Sequence, residues 1–168
     1  STGVLDRIVG TQDNKTKTYS LYTNVEGKFN TGSLEHTLLF GIDLARAESD
    51  TLTLVDFDFS IPINIFDSDY PEVPLPNRDD LFPFFGFDAT TEQLGIYLQD
   101  QINILDNLIL VAGLRYSAVD QDSIDPVSGQ ETNRYDDALT PRIGIVYQPV
   151  DAISLYASYS RSFVANLE

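Results

Sequence analysis

From Tyr19 onward the chain alternates residue by residue. Tyr19, Leu21, Thr23, Val25, Gly27 and Phe29 fall on one face, and Ser20, Tyr22, Asn24, Glu26 and Lys28 on the other. A period of two with one apolar and one polar face is the pattern of a strand covered on one side. Asn30 to Ser33 carry turn residues, after which Leu34, His36, Leu38, Phe40, Ile42 and Leu44 oppose Glu35, Thr37, Leu39, Gly41, Asp43 and Ala45. A third run sets Leu94, Ile96, Leu98, Ile102 and Ile104 against Gln93, Gly95, Tyr97, Gln99, Gln101 and Asn103, with Asp100 the one polar residue on the apolar face. After Asp106-Asn107, the fourth run places Leu108, Leu110, Ala112, Leu114 and Tyr116 opposite Ile109, Val111, Gly113, Arg115 and Ser117. Leu139 to Tyr147 and Ile153 to Ser160 repeat the pattern around a turn at residues 149–152.

The pattern predicts an all-β, antiparallel chain of six strands, each about 11 residues long where alternation holds. That is the length of a tilted strand crossing a bilayer and about twice the globular norm. The connections at 30–33, 105–107 and 149–152 are short, while 48–90 and 120–136 are long and acidic. Short and long connections alternate in order, as expected for a transmembrane β-barrel with short periplasmic turns and long extracellular loops. The hairpins are placed at 18–47, 91–119 and 137–163, and parity puts 48–90 and 120–136 outside the cell. Thr51 to Ile61 is itself strand-like and reads as an arm projecting beyond the membrane. Tyr19, Tyr116, Tyr147, Tyr159 and Phe163 stand near strand ends, where aromatic girdles meet headgroups.

Composition narrows the choices. The chain holds 26 acidic and 10 basic residues, a formal charge of −16. No cluster of Lys and Arg is available to bind a polyphosphate, which argues against a nucleic-acid partner. With no cysteine there is neither a disulfide framework nor a thiolate metal site. The longest apolar run, Leu108 to Leu114, is far too short for a membrane helix, so any crossing is made by strands. Ser1 begins inside mature-looking sequence and Glu168 follows directly on a strand-like segment, so both ends read as cuts in a larger protein.

Candidate chemistry is sparse. His36, the one histidine, lies between Leu34 and Leu38 on an apolar face; no catalytic or metal partner stands on its own strand, which counts against an outer-membrane hydrolase with Ser-His chemistry. Asp120, Asp122, Asp125 and Glu131 miss the spacing of a calcium loop, because Ile124 and Asp125 occupy the ligand and glycine positions. The acids at 56, 58, 67, 69, 79 and 80 read as a solvated surface. No metal or cofactor is expected. Arg115 and Arg142 belong to the polar, lumen-facing side, where an anionic chelate or a lumen-filling domain would meet them. The proline- and phenylalanine-rich stretch after Ile61 supplies Phe66, Tyr70, Phe82, Phe84, Phe85 and Phe87 as candidate ligand contacts, since exposed aromatics are usually covered by something.

Four segments carry a family resemblance: Thr90–Gln101 (TTEQLGIYLQDQ), Asn107–Tyr116 (NLILVAGLRY), Leu139–Tyr147 (LTPRIGIVY) and Leu155–Phe163 (LYASYSRSF). In this order over residues 90–163 they resemble TonB-dependent siderophore receptors of the ferrichrome and hydroxamate type. The resemblance implies a barrel of 22 strands with a plugged lumen. It also implies binding of a ferric siderophore at the outer face and energy coupled through TonB. The plug and the TonB-contacting box are expected outside this chain. The implied location is the outer membrane of a Gram-negative-type bacterium, in contact with its lipid. Rival readings are a TonB-dependent transporter of another cargo, such as a cobalamin or glycan, and a soluble β-meander binding module.

Overall fold

The computed structural model describes residues 3–66 and 74–165. Six strands follow in chain order: β1 Val4–Thr31, β2 Leu34–Asn64, β3 Phe82–Leu105, β4 Leu108–Ile124, β5 Glu131–Val150 and β6 Ile153–Ser160. They form one sheet in sequential order, each strand hydrogen-bonded to its chain neighbours. One 3-10 turn, Arg78–Asp80, precedes β3.

The tight turns lie where turn chemistry predicts. Gly32, at φ +64°, reverses β1 into β2 in a conformation a side chain would strain. Between β5 and β6 the pairing runs in register from Arg142↔Ser160 to Tyr147↔Leu155, then shifts before Val150↔Ile153. Pro149, which lacks an N–H, falls in that interval. The Gln148 N–H turns away and donates to the Asn107 carbonyl at 2.8 Å, and its side-chain amide donates to Ser154 Oγ at 3.0 Å.

The strands run further than the alternation predicts. Residues 48–64 and 82–90 are strand, as are 120–124 and 131–136, and β1 begins at Val4 rather than near Tyr19. Apolar alternation marks only the part of a strand that has an apolar side to satisfy. Beyond it, the strands continue through more polar sequence, where Thr51 to Ile61 keeps a period-two signal and the rest does not.

The chain divides into two units: Ser1–Lys17, Glu48–Thr90 and Asp122–Thr132 form the first, and Thr18–Ala47, Thr91–Gln121 and Asn133–Glu168 the second. In the first, Leu54, Val55, Ile61 and Ala89 are buried; in the second, Ala118 and Val119 are. No large side chain among the described residues is fully buried, as expected of a sheet whose faces await other partners.

Candidate functional site

The apolar face of the second unit carries two polar cross-strand pairs. His36 Nδ1 and Asp100 Oδ2 meet at 2.7 Å, with the Phe29 ring stacked on the imidazole at 4.8 Å. Arg46 donates from Nη1 to Glu92 Oε1 at 2.8 Å. His36 and Arg46 are ten residues apart on β2, about 33 Å along a strand at about 3.3 Å per residue. With a tilt of about 40°, that becomes a band about 25 Å tall, the height of the apolar belt on outer-membrane barrels. Residues of that face between the pairs, Leu38, Phe40, Ile42 and Leu44, are all apolar. At the Arg46 end, a groove of about 560 Å3 is lined by Leu21, Leu44, Leu94, Tyr19, Tyr116 and Tyr135, among others. The Tyr116 and Tyr135 hydroxyls lie 3.2 Å apart. Tyr135 precedes the recognisable alternation of β5, which is why the pattern did not single it out.

The polar face is organised around Arg115. Its Nη1 donates to Asp43 Oδ2 at 2.7 Å and its Nε to Ser117 Oγ at 3.0 Å. The guanidinium lies 5.5 Å from the centre of the Tyr97 ring, a cation–π distance. Thr140, buried, donates its hydroxyl to the Arg115 carbonyl at 3.2 Å. Two glycines make this possible. A Cβ at Gly95 would collide with the Arg115 guanidinium, and one at Gly41 with the Tyr97 ring. Arg115 is therefore matched in charge within the sheet. Arg142 lines the same recess as Arg115 and Tyr97 and has no acidic partner among the described residues.

In the first unit, the candidate aromatics are largely exposed: Phe66 by 77%, Phe82 by 67% and Phe84 by 60%. Phe84 packs edge-on against Phe57 at 5.4 Å and 75°, a contact that no local pattern foretold. Phe85 and Phe87 are also exposed but alternate with Phe84 along β3, so they point to its opposite side. Phe66 lies against Gly3, and the Ile65 N–H donates to the Gly3 carbonyl at 2.8 Å. Tyr70 lies outside the described residues, as do Asp67 and Asp69.

Two contacts shape the loops of this unit. Arg78 forms an ion pair with Asp13 of β1, and that hydrogen bond holds the Asp13 carboxyl below its ordinary range and the guanidinium above its own. At the β4–β5 turn, the Asp125 carboxylate accepts from the Val127 and Ser128 N–H groups and the Ser128 hydroxyl. Those bonds hold its pKa down. The turn closes on Gly129 at φ +72°, and the Pro126 ring packs over Gly86, where a Cβ would not fit. Among the described residues, no three His, Asp or Glu side chains converge to hold a metal ion.

The sequence is 32% identical over 154 residues to the ferrichrome outer membrane transporter/phage receptor of Escherichia coli K12, a match covering 90% of this chain and 20% of that protein. It is 31% identical to the metal-pseudopaline receptor CntO of Pseudomonas aeruginosa, over 83% of this chain and 20% of that receptor. The chain thus spans about a fifth of the length of these curated relatives. Neither relative is an enzyme by name. In fold, it superposes on the ferric-catecholate import receptor Fiu of E. coli K12 with a TM-score of 0.72. That match has 18% identity and covers 89% of this chain and 26% of Fiu. The profile of TonB dependent receptor-like β-barrels matches residues 2–167, and the chain belongs to that family.

Proposed function

We propose that this chain forms part of the wall of an outer-membrane receptor that imports a ferric siderophore, driven by energy coupled through TonB. The observation that carries the reading is the 32% identity to a ferrichrome transporter over 90% of the chain. The physical case supports its first half. Two polar pairs on the apolar face stand about 25 Å apart in height, as on the apolar belt of outer-membrane barrels, and tyrosines gather at one of them. In this reading the apolar face meets outer-membrane lipid, the polar face turns to the lumen, and the connections at 48–90 and 120–136 are extracellular. The cargo is a ferric chelate met by aromatics of the long connection, Phe82 and Phe84 on one side of β3 rather than Phe85 and Phe87 on the other. TonB acts through a plug region beyond this chain. No covalent chemistry is involved.

Arg115, with its charge matched by Asp43 at 2.7 Å, serves the wall rather than the cargo. The likeness to a metal-pseudopaline receptor favours one second reading, a chelate of another transition metal.

The test is growth. A strain lacking its own siderophore receptors and carrying the full-length gene is supplied with one ferric siderophore at a time under iron limitation. Growth restored by one siderophore, and lost when TonB is deleted, is the expected result. Growth on none would overturn the reading. Uptake by the same strain of a labelled chelate of another transition metal, with none of the ferric ones taken up, would favour the second.

A further inference from the structure

We propose that the groove at the Arg46 end of the apolar face holds one lipid, its acyl chain along the aliphatic walls and a phosphoethanolamine headgroup at the charged rim. The groove, about 560 Å3, belongs wholly to the second unit. Its lining changes character along each strand in the same direction. Leu44, Leu94 and Ala118 give way, two positions further from the tight turns, to Arg46, Glu92 and Asp120. Residues two apart share a face of a strand, so three adjacent strands step together from apolar to charged. On β1 the same step leads from Leu21 to Tyr19. On the β4–β5 side, Tyr116 and Tyr135 bring their hydroxyls to 3.2 Å. Ala118 is small and buried, which leaves the space between these walls open.

An apolar trough with a charged mouth fits an amphiphile. The apolar face that continues from it is the one that meets lipid in the function proposed above, and the choice of a lipid rests on that reading. The charges choose the headgroup. Arg46 is held by Glu92 at 2.8 Å, whereas Asp120 has no partner among the described residues. The Asp137 carboxylate stands by the Tyr116 hydroxyl. The rim therefore carries one cation and two carboxylates, with a third close by. A headgroup bearing phosphate alone meets net repulsion there. One that also carries an ammonium sets it beside Asp120 and turns its phosphate to the Arg46 guanidinium, whose fork matches phosphate in two-point geometry. This chemistry has two sources: an ethanolamine glycerophospholipid, or a glycolipid whose phosphate bears ethanolamine.

The test titrates the full-length protein in detergent with lipids and reads binding by native mass spectrometry. Each amine-bearing lipid has its own control: phosphatidylethanolamine against phosphatidylglycerol with the same acyl chains, and lipid A with against lipid A without phosphoethanolamine. The wild type is expected to bind at least one amine-bearing lipid about fivefold more tightly than its control, the size of one exposed charge contact. Asp120→Asn should bring that ratio down towards one, and the charge-keeping Asp120→Glu should retain it. The amine-bearing lipid bound more tightly names the source. No preference in the wild type, or a preference that survives Asp120→Asn, overturns the proposal. Growth on siderophores does not enter this readout. A protein that shows the preference but supports growth on no siderophore refutes the uptake reading alone.

Discussion

His36 and Asp100, each flanked by apolar residues on its strand's apolar face, meet each other at 2.7 Å. The imidazole side chain is 12% exposed and the carboxylate 23%, and His36 Nε2 and Asp100 Oδ1 are buried without partners. Removing one member strands the other on an apolar surface, at about 1–3 kcal/mol. Removing both removes the problem. His36→Leu and Asp100→Leu are each expected to lower the stability of the full-length protein in vesicles, and the double variant to recover most of the loss. Denaturant titration of all four proteins gives the coupling energy. Additive losses would show that the pair is not coupled.

The two glycines of the polar face make a second prediction. A methyl at Gly41 must displace the Tyr97 ring, and one at Gly95 the Arg115 guanidinium. Overpacking of this kind costs about 1–3 kcal/mol. Gly95→Ala also pulls Arg115 from Asp43, so its loss should shrink in an Asp43→Asn background, whereas that of Gly41→Ala should not. Gly27 has open space where its Cβ would stand, so Gly27→Ala is the neutral control. Unfolding midpoints of the four single variants, Asp43→Asn included, and of the two doubles decide it.

What the alternation reveals and hides follows from where an apolar face exists. The six strands, their order and their tight turns were legible because Leu34 to Leu44, Leu94 to Ile104 and Leu108 to Tyr116 must each present one greasy side. Residues 4–18 of β1 gave no comparable signal, since backbone ladder hydrogen bonds there can be made by any residue; Thr51 to Ile61 did read as strand, but as a separate projecting arm rather than the continuation of β2. The oddity of His36 and of Asp100 was visible in each strand, but their meeting depends on the pairing of β2 with β3, which neither strand encodes alone. Arg115 was legible as a polar-face residue, whereas its match with Asp43 lies 72 positions away. The aromatics after Ile61 were legible as a composition. That Phe84 would find Phe57 was not.

The Asp13–Arg78 pair ties the segment before β3 to β1, and its pH dependence has a definite sign. Arg78 holds the Asp13 carboxyl below its ordinary value of 3.8. Any contribution of the pair is therefore complete above that value and is lost as pH falls through the depressed one. Arg78, held above its own ordinary value, stays charged throughout. The protection factors of residues 74–81 in hydrogen exchange, corrected for the intrinsic pH dependence, should be unchanged between pH 8 and pH 5, while Arg78→Gln should lower them at neutral pH. Both groups are exposed, so added salt should move the wild type towards the variant. An Arg78→Gln protein with wild-type exchange would remove the tie.

Strand geometry turns the cargo proposal into a sorting test. Phe82 and Phe84 share one side of β3, and Phe85 and Phe87 the other, so a single bound chelate cannot rest on all four. Phe84 is already paired edge-on with Phe57, which leaves a firm aromatic surface on that side at low ordering cost. A buried aromatic contact is worth more than about 1 kcal/mol on truncation, or roughly a five- to tenfold change in affinity. Phe82→Ala, Phe84→Ala and Phe57→Ala are expected to weaken binding of the ferric siderophore that supports growth by that factor. Phe85→Ala and Phe87→Ala should leave affinity within about twofold, because their side faces away from the Phe57–Phe84 surface. Equilibrium binding with radioactive iron on whole cells measures all five, with surface expression checked in parallel. Losses that fail to sort by side would place the cargo elsewhere than on β3.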